Sequence, residues 1–233
     1  MSSLFESDYR ALVIGASGAI GQAFVSALQS DAKCVHLQQV SRAQCPGFDL
    51  LDESSVAAQA AACAASGPYH LVVDTTGALT IEGAGPEKSL AALQSGQLAK
   101  AFALNAIGPA MLLRYFAPLL APGPSIYAKL SARVGSISDN HKGGWYGYRA
   151  SKAALNMLLQ TAAIELQRKN PQLRVVALQP GTVRSALSQP FAAGVAKLLE
   201  PADSVAGMLA TLRNLRSTSG AHFVDYQGQP IPW

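Results

Sequence analysis

Tyr148 and Lys152 stand four residues apart in the run Gly143–Lys152, G-G-W-Y-G-Y-R-A-S-K. Four residues is about one helical turn, so a helix starting near Tyr148 projects both side chains from one face. A phenol ionises near pH 10 in water, too high to trade protons at neutral pH. An ammonium group a few Å away favours the phenolate and lowers that pKa. The pair then becomes a general acid/base suited to interconverting a carbonyl and an alcohol. Of the seven tyrosines, none of the other six is followed by a lysine four positions later. A surface lysine one turn after a tyrosine is the plainer reading, so the pair takes its meaning from the rest of the chain.

That context begins at G-A-S-G-A-I-G, Gly15–Gly21, directly after an apolar β-branched run. Gly15, Gly18 and Gly21 allow a tight turn, close backbone approach to a pyrophosphate and close helix–strand contact. The helix that opens over Ser17, Ala19 and Ile20 offers free N–H groups and a positive dipole end to a phosphate. The spacing is G-x-x-G-x-x-G, so a tight turn without a ligand is the competing explanation. Val40-Ser41-Arg42 closes the second strand. An acidic residue there would hold a ribose 2′-hydroxyl; Ser41 and Arg42 suit a 2′-phosphate, which predicts NADP(H) ahead of NAD.

Short β-branched runs alternate with helical stretches, the pattern of a parallel sheet wrapped by helices. Strands are expected at Tyr9–Ile14, Lys33–Val40, His70–Val73, Pro124–Leu130, Leu173–Leu178 and His222–Asp225, with a very short further strand ending at Asp49. Helices are expected from the glycine turn to about Ser30, from an Asp52 N-cap to about Ala65, and over Leu98–Leu120, Tyr148–Lys169 and Asp203–Leu215. The expected fold is a doubly wound parallel sheet in a three-layer α/β/α arrangement, a Rossmann fold on a single domain.

Composition narrows the function classes. The 233 residues are 49% hydrophobic and only 14% charged, enough apolar surface for a packed core. A net charge of +4, spread without a basic run, gives no electrostatic case for nucleic acid. Cys34, Cys45 and Cys63 are an odd number without C-x-x-C spacing, and the four histidines are dispersed, so reduced thiols in a cytoplasmic protein without a metal site are expected. The apolar stretch Leu98–Leu120 is interrupted by Lys100, Asn105 and Arg114, which argues against a membrane span.

A glycine turn after the first strand, joined to Tyr-x-x-x-Lys far downstream, resembles the short-chain dehydrogenase/reductase family from end to end. Ser131–Asn156, Pro180–Val183 and Phe223–Trp233 look most like its C-factor and sniffer-like carbonyl reductase branch. The resemblance implies Tyr148 as proton donor to a small carbonyl/alcohol substrate, with Lys152 lowering its pKa and binding the nicotinamide ribose. It implies that Asn105 holds a water of a proton relay and that Asp49 and Leu50 contact adenine. Pro180, Gly181, Thr182 and Val183 would touch the nicotinamide carboxamide. Thr75, Thr76 and Gly77, with Ala78, stand where the family has N-N-A-G; the asparagine is gone, and a threonine hydroxyl is its partial substitute.

The family's catalytic serine has no single counterpart. Counting back from Gly135 reaches Ala132, counting forward from Ile126 reaches Ser131, and Ser136 serves if the loop folds back; Ser131 is preferred for polarising the carbonyl. Residues 184–200 read as a mobile lid, with Leu187, Phe191 and Val195 facing an apolar substrate. A hydrolytic use of Asp139 and His141 is disfavoured because neighbours on one loop rarely converge on a nucleophile. The two long helices imply a homodimer or homotetramer. The alternative function is a dinucleotide-binding sensor or signalling protein with little turnover.

Overall fold

The structure is a computed structural model that describes residues 3–185 and 198–233. Six apolar runs form one wholly parallel sheet: β1 (Tyr9–Ile14), β2 (Cys34–Val40), β3 (Leu71–Asp74), β4 (Ser125–Leu130), β5 (Leu173–Gln179) and β6 (His222–Asp225), in the order β2-β1-β3-β4-β5-β6. Strands buried on both faces need helices on both, and the connections supply them. Helices α1 (Ala19–Gln29) and α6 (Pro201–Asn214) cover one face over Phe24, Val73, Ile126, Val176 and Met208. Helices α2 (Glu53–Ala64), α4 (Gly108–Phe116) and α5 (Tyr146–Gln167) cover the other over Leu12, Val72, Tyr127 and Leu159. Strand order reverses between β1 and β3, so the loops leaving their carboxyl ends diverge and open a crevice. Those loops begin at Gly15 and Thr75.

Asp52 caps α2 as expected, accepting from the Ser54 amide at 2.9 Å. The very short strand ending at Asp49 does not form. Pro46 and Gly47 (φ +87°) turn the chain there, and the loop closes on itself through Cys45 N to Ser41 O and Phe48 N to Cys45 O. β2 is therefore a sheet edge. The long helix expected over Leu98–Leu120 is a composite: α3 (Ser95–Phe102), a π-helical turn (Ala103–Ile107), α4, and a 3₁₀ turn over Ala117–Leu119. Pro109 accounts for the widening, since it has no N–H for the Asn105 carbonyl and its ring presses against that group.

Candidate active site

Helix α5 begins at Tyr146, two residues before the expected start, so Tyr148 lies in its first turn. Gly143 and Gly144 (both φ +64°) and Trp145 (φ +55°) bring the chain into the helix through left-handed backbone, which is costly for tryptophan. Glu87 holds that entry. Its carbonyl accepts from Trp145 N at 2.5 Å, and its carboxylate accepts from Gly147 N at 3.0 Å, at the positive end of the helix.

From this start Tyr148 and Lys152 share one face of α5, with the Lys152 ammonium 5.8 Å from the Tyr148 ring centre. Lys152 is buried and donates to Leu130 O at 3.1 Å. The expected acidification of Tyr148 is not what the geometry yields. Burial pushes the phenol up to about 12 and pulls Lys152 down to about 7. Desolvation is the leading influence on each group, so near neutral pH the phenol keeps its proton.

A cleft of about 620 Å³ opens over these groups, its wall running from Ile20 past Leu79, Ser131, Ala132, Trp145 and Tyr148 to Pro180–Val183. Gly15 (φ +82°) and Gly21 are required by sterics: a Cβ on Gly21 would lie 2.2 Å from Gly15 O, and one on Gly15 would lie 2.5 Å from Thr75 Oγ1. Gly18 precedes α1, whose first turn has no side-chain cap and no acidic residue, while exposed Ser17 and half-buried Ala19 flank it. The Thr75 hydroxyl is shared between Ile14 O (2.9 Å) and Gly15 O (3.1 Å), tying the two diverging loops together.

Asn105 is wholly buried in the π-helical turn. It accepts from Ala78 N at 2.8 Å and donates to Ala78 O at 2.9 Å, clamping the loop that carries Gly77. Ser131 is buried and donates its one hydroxyl proton to Asn156 Oδ1 at 2.6 Å; it and Ala132 beside it both line the cleft. Ser136 lines a different depression with Ile137 and Tyr146, and its hydroxyl accepts from Asp139 N. Arg42 is exposed at the end of β2, and no described residue pairs with it; neighbouring Ser41 is buried and bonded to Gln44. Asp49 is exposed and its carboxylate accepts from Leu51 N, whereas Leu50 packs against Gly108 at the start of α4. Pro180 O accepts from Ser204 Oγ, and Val183 pairs with Leu199. Leu187, Phe191 and Val195 lie outside the described residues.

Three participants escape sequence reasoning: Glu87, Asn156, and the buried ion pair Lys129–Asp74 (2.9 Å) beneath the cleft. Only the pair left a signal, a lysine inside the otherwise apolar run S-I-Y-A-K-L.

A doubly wound sheet with a Tyr/Lys cleft at its switch point defines a class of α/β oxidoreductase. The family model described as short chain dehydrogenase matches residues 9–195, and the chain belongs to that family. It is 32% identical over 169 residues to the C-signal of Myxococcus xanthus, covering 72% of this chain and 95% of that protein. Among solved structures, the carbonyl reductase Sniffer of D. melanogaster superposes with a TM-score of 0.82 at 23% identity, covering 97% of this chain and 100% of that one. The NADPH-bound carbonyl reductase from chicken fatty liver gives 0.83 at 22% identity, over 97% and 95% of the two chains. Among the described residues no helix is long and apolar enough to cross a membrane.

Proposed function

We propose that the protein is an NADP(H)-dependent carbonyl reductase or alcohol dehydrogenase acting on a small carbonyl/alcohol pair, with Tyr148 as the proton donor. One observation carries this reading: Tyr148 and the glycine-turn residue Ile20 are walls of the same cleft. The residues present fit the dinucleotide. Gly15 and Gly21 make a backbone turn that admits no side chain, the start of α1 is uncapped, and Arg42 is free to meet a 2′-phosphate. The NADPH bound to the chicken carbonyl reductase points the same way.

When bound, the cofactor supplies the hydride. The chain's residues do the rest. Tyr148 gives its proton to the nascent alkoxide, and its high pKa keeps that proton in place at neutral pH, as reduction requires. Lys152, titrating near 7, re-supplies Tyr148. Asn105 shapes the loop beside Lys152, and Trp145 and Leu79 exclude water. Arg184 N donates to Leu199 O and Leu199 N to Thr182 O, joining the two ends of the segment expected as a lid, whose residues 186–197 lie outside the described residues. The exposed side chains Met157, Leu158 and Ile164 on α5 support a homodimer or homotetramer.

The test is NADPH oxidation against a panel of aldehydes and ketones. The wild type turns over, and Tyr148→Phe loses about 10²–10⁴-fold in kcat while still binding NADPH. Turnover equal in both forms refutes the assignment. A second reading, a dinucleotide sensor, is favoured by the Ser131 proton, which goes to Asn156 although Ser131 lines the cleft beside Ala132. It predicts NADPH binding with no carbonyl turnover in the wild type.

A further inference from the structure

Beneath Lys152 lies a second buried lysine that the reductase reading leaves unused. Lys129, near the end of β4, is 1% exposed, and its partner Asp74, at the end of β3, is 0% exposed. The Lys129 ammonium donates to Asp74 Oδ1 (2.9 Å), Thr76 O (2.5 Å) and Thr76 Oγ1 (2.9 Å). Asp74 Oδ1 also accepts from Thr76 N (2.8 Å) and Thr76 Oγ1 (2.6 Å). The next residue in the strap, Gly77, passes so close to the site that a Cβ there would lie 3.5 Å from Lys152 Nζ and 3.2 Å from Asn105 Oδ1. The ion pair is therefore separated from the Tyr148–Lys152–Asn105 group by a single stretch of backbone. Two buried cations on adjacent elements repel strongly where water is excluded.

We propose that Lys129 is a positioning residue for Lys152: its ammonium, anchored by Asp74 and the Thr76 strap, repels the Lys152 ammonium and sets how readily Lys152 releases its proton. This rests on the reading in which Lys152 serves Tyr148. The charged and titratable groups acting on Lys152 are Lys129 from β4, Asp74 from β3 and Tyr148 from its own helix; Tyr127, on the same face of β4, feels Asp74 and stays protonated. After burial, Lys129 is the larger influence on Lys152 and lowers its pKa, while Asp74 opposes it; burial pulls Lys129 itself down as well, and Asp74 at 2.9 Å favours its ammonium form. The pair as a whole therefore eases the lysine toward neutrality. A proton that leaves Lys152 easily is one that can replace the proton Tyr148 gives away: the lysine N–H bond breaks and the phenol O–H re-forms.

The experiment follows the Lys152 side chain by NMR in lysine-labelled protein across a pH series, its signal assigned by its loss in Lys152→Met. Lys129→Met should raise the Lys152 midpoint by about one pH unit or more. The double variant Lys129→Met/Asp74→Asn, which buries no unpaired charge, should also raise it, by a smaller amount. Lys129→Arg, which retains the cation, should leave it near the wild-type value. NADPH affinity by fluorescence titration should stay within about threefold throughout. Midpoints in Lys129→Met and the double variant that coincide with the wild type overturn the proposal. So does a raised midpoint accompanied by a loss of NADPH affinity of tenfold or so, which marks a loosened strap. Should Lys129→Met not fold, the double variant decides alone. None of these readouts needs turnover, so a wild type without reductase activity but with the expected midpoints refutes the reductase reading and leaves this one standing.

Discussion

Replacing Gly21 by alanine adds one methyl group where the fold leaves no room for it. The new Cβ would sit 2.2 Å from Gly15 O, 2.9 Å from Gly15 C and 3.0 Å from Ala16 Cα, all backbone atoms of the turn against which α1 packs. No side-chain rotation relieves such contacts, so the turn itself must move. Overpacking of this kind costs roughly 1–3 kcal/mol, and the better helix propensity of alanine inside α1 returns up to about 1 kcal/mol. A 2.2 Å contact with backbone puts the cost in the upper part of that range, about 2–3 kcal/mol, so with the full 1 kcal/mol returned the net loss is about 1–2 kcal/mol; at about 2–4 °C per kcal/mol for a chain of this size, Tm should fall by about 2–8 °C. NADPH affinity should fall further, because the same turn would carry the pyrophosphate. Gly96→Ala is the matched control. Gly96 is exposed in the first turn of α3, and nothing lies within 4 Å of its added Cβ, so Tm should hold or rise slightly. Differential scanning calorimetry of the two variants decides the matter. A Gly21→Ala protein as stable as wild type, or a Gly96→Ala protein equally damaged, refutes the steric argument.

Asn105→Ala deprives the Ala78 amide and carbonyl of both partners, at a cost of about 1–3 kcal/mol because Ala78 is half-buried and water replaces part of the loss; urea denaturation measures it, and an unchanged midpoint counts against the clamp. Ser131→Ala leaves buried Asn156 Oδ1 unpaired, so stability should drop by about 1–3 kcal/mol. Its turnover should stay within about tenfold, since the hydroxyl proton already goes to Asn156; a loss of a hundredfold or more would restore Ser131 to the carbonyl. For Lys152 the folded pKa, about 7, lies below the ordinary lysine value of 10.5, so between these limits the unfolded chain binds more protons than the native one. Unfolding free energy therefore rises with pH across that window. Lys152→Met should lack this rise, so the wild type should gain stability relative to the variant steadily between about pH 7 and 10.5, measured by urea denaturation across that range.

Where local signals were strong, they sufficed. Tyr9–Ile14 and His222–Asp225 form strands over the residues expected, because short apolar runs bounded by turn residues have few alternatives. Asp52 caps its helix through chemistry contained within three residues. The glycine turn and the Tyr148–Lys152 spacing were readable for the same reason. The π-helical turn was not, because its cause is a steric conflict between Pro109 and Asn105 that hydrophobic periodicity does not register. The direction of the Tyr148 shift was missed since spacing reveals a neighbouring charge but not the loss of water around it. Glu87 and Asn156 act across 60 and 25 residues of chain, beyond the reach of any local pattern, and the Lys129–Asp74 pair, 55 residues apart, shows locally only as a lysine in an apolar strand.

Glu87 carries a consequence for assembly. The helix bearing Tyr148 is started by a carboxylate 60 residues earlier in the chain, with no cap of its own at Trp145. Closing so wide a loop is entropically expensive and is offset only once the intervening segments have docked on the sheet. The Tyr148 end of α5 is accordingly a late-maturing region, whose backbone amides at Trp145 and Gly147 should gain hydrogen-exchange protection after those of β4 and β5. Glu87→Ala would then delay or abolish that last step while leaving the earlier ones intact.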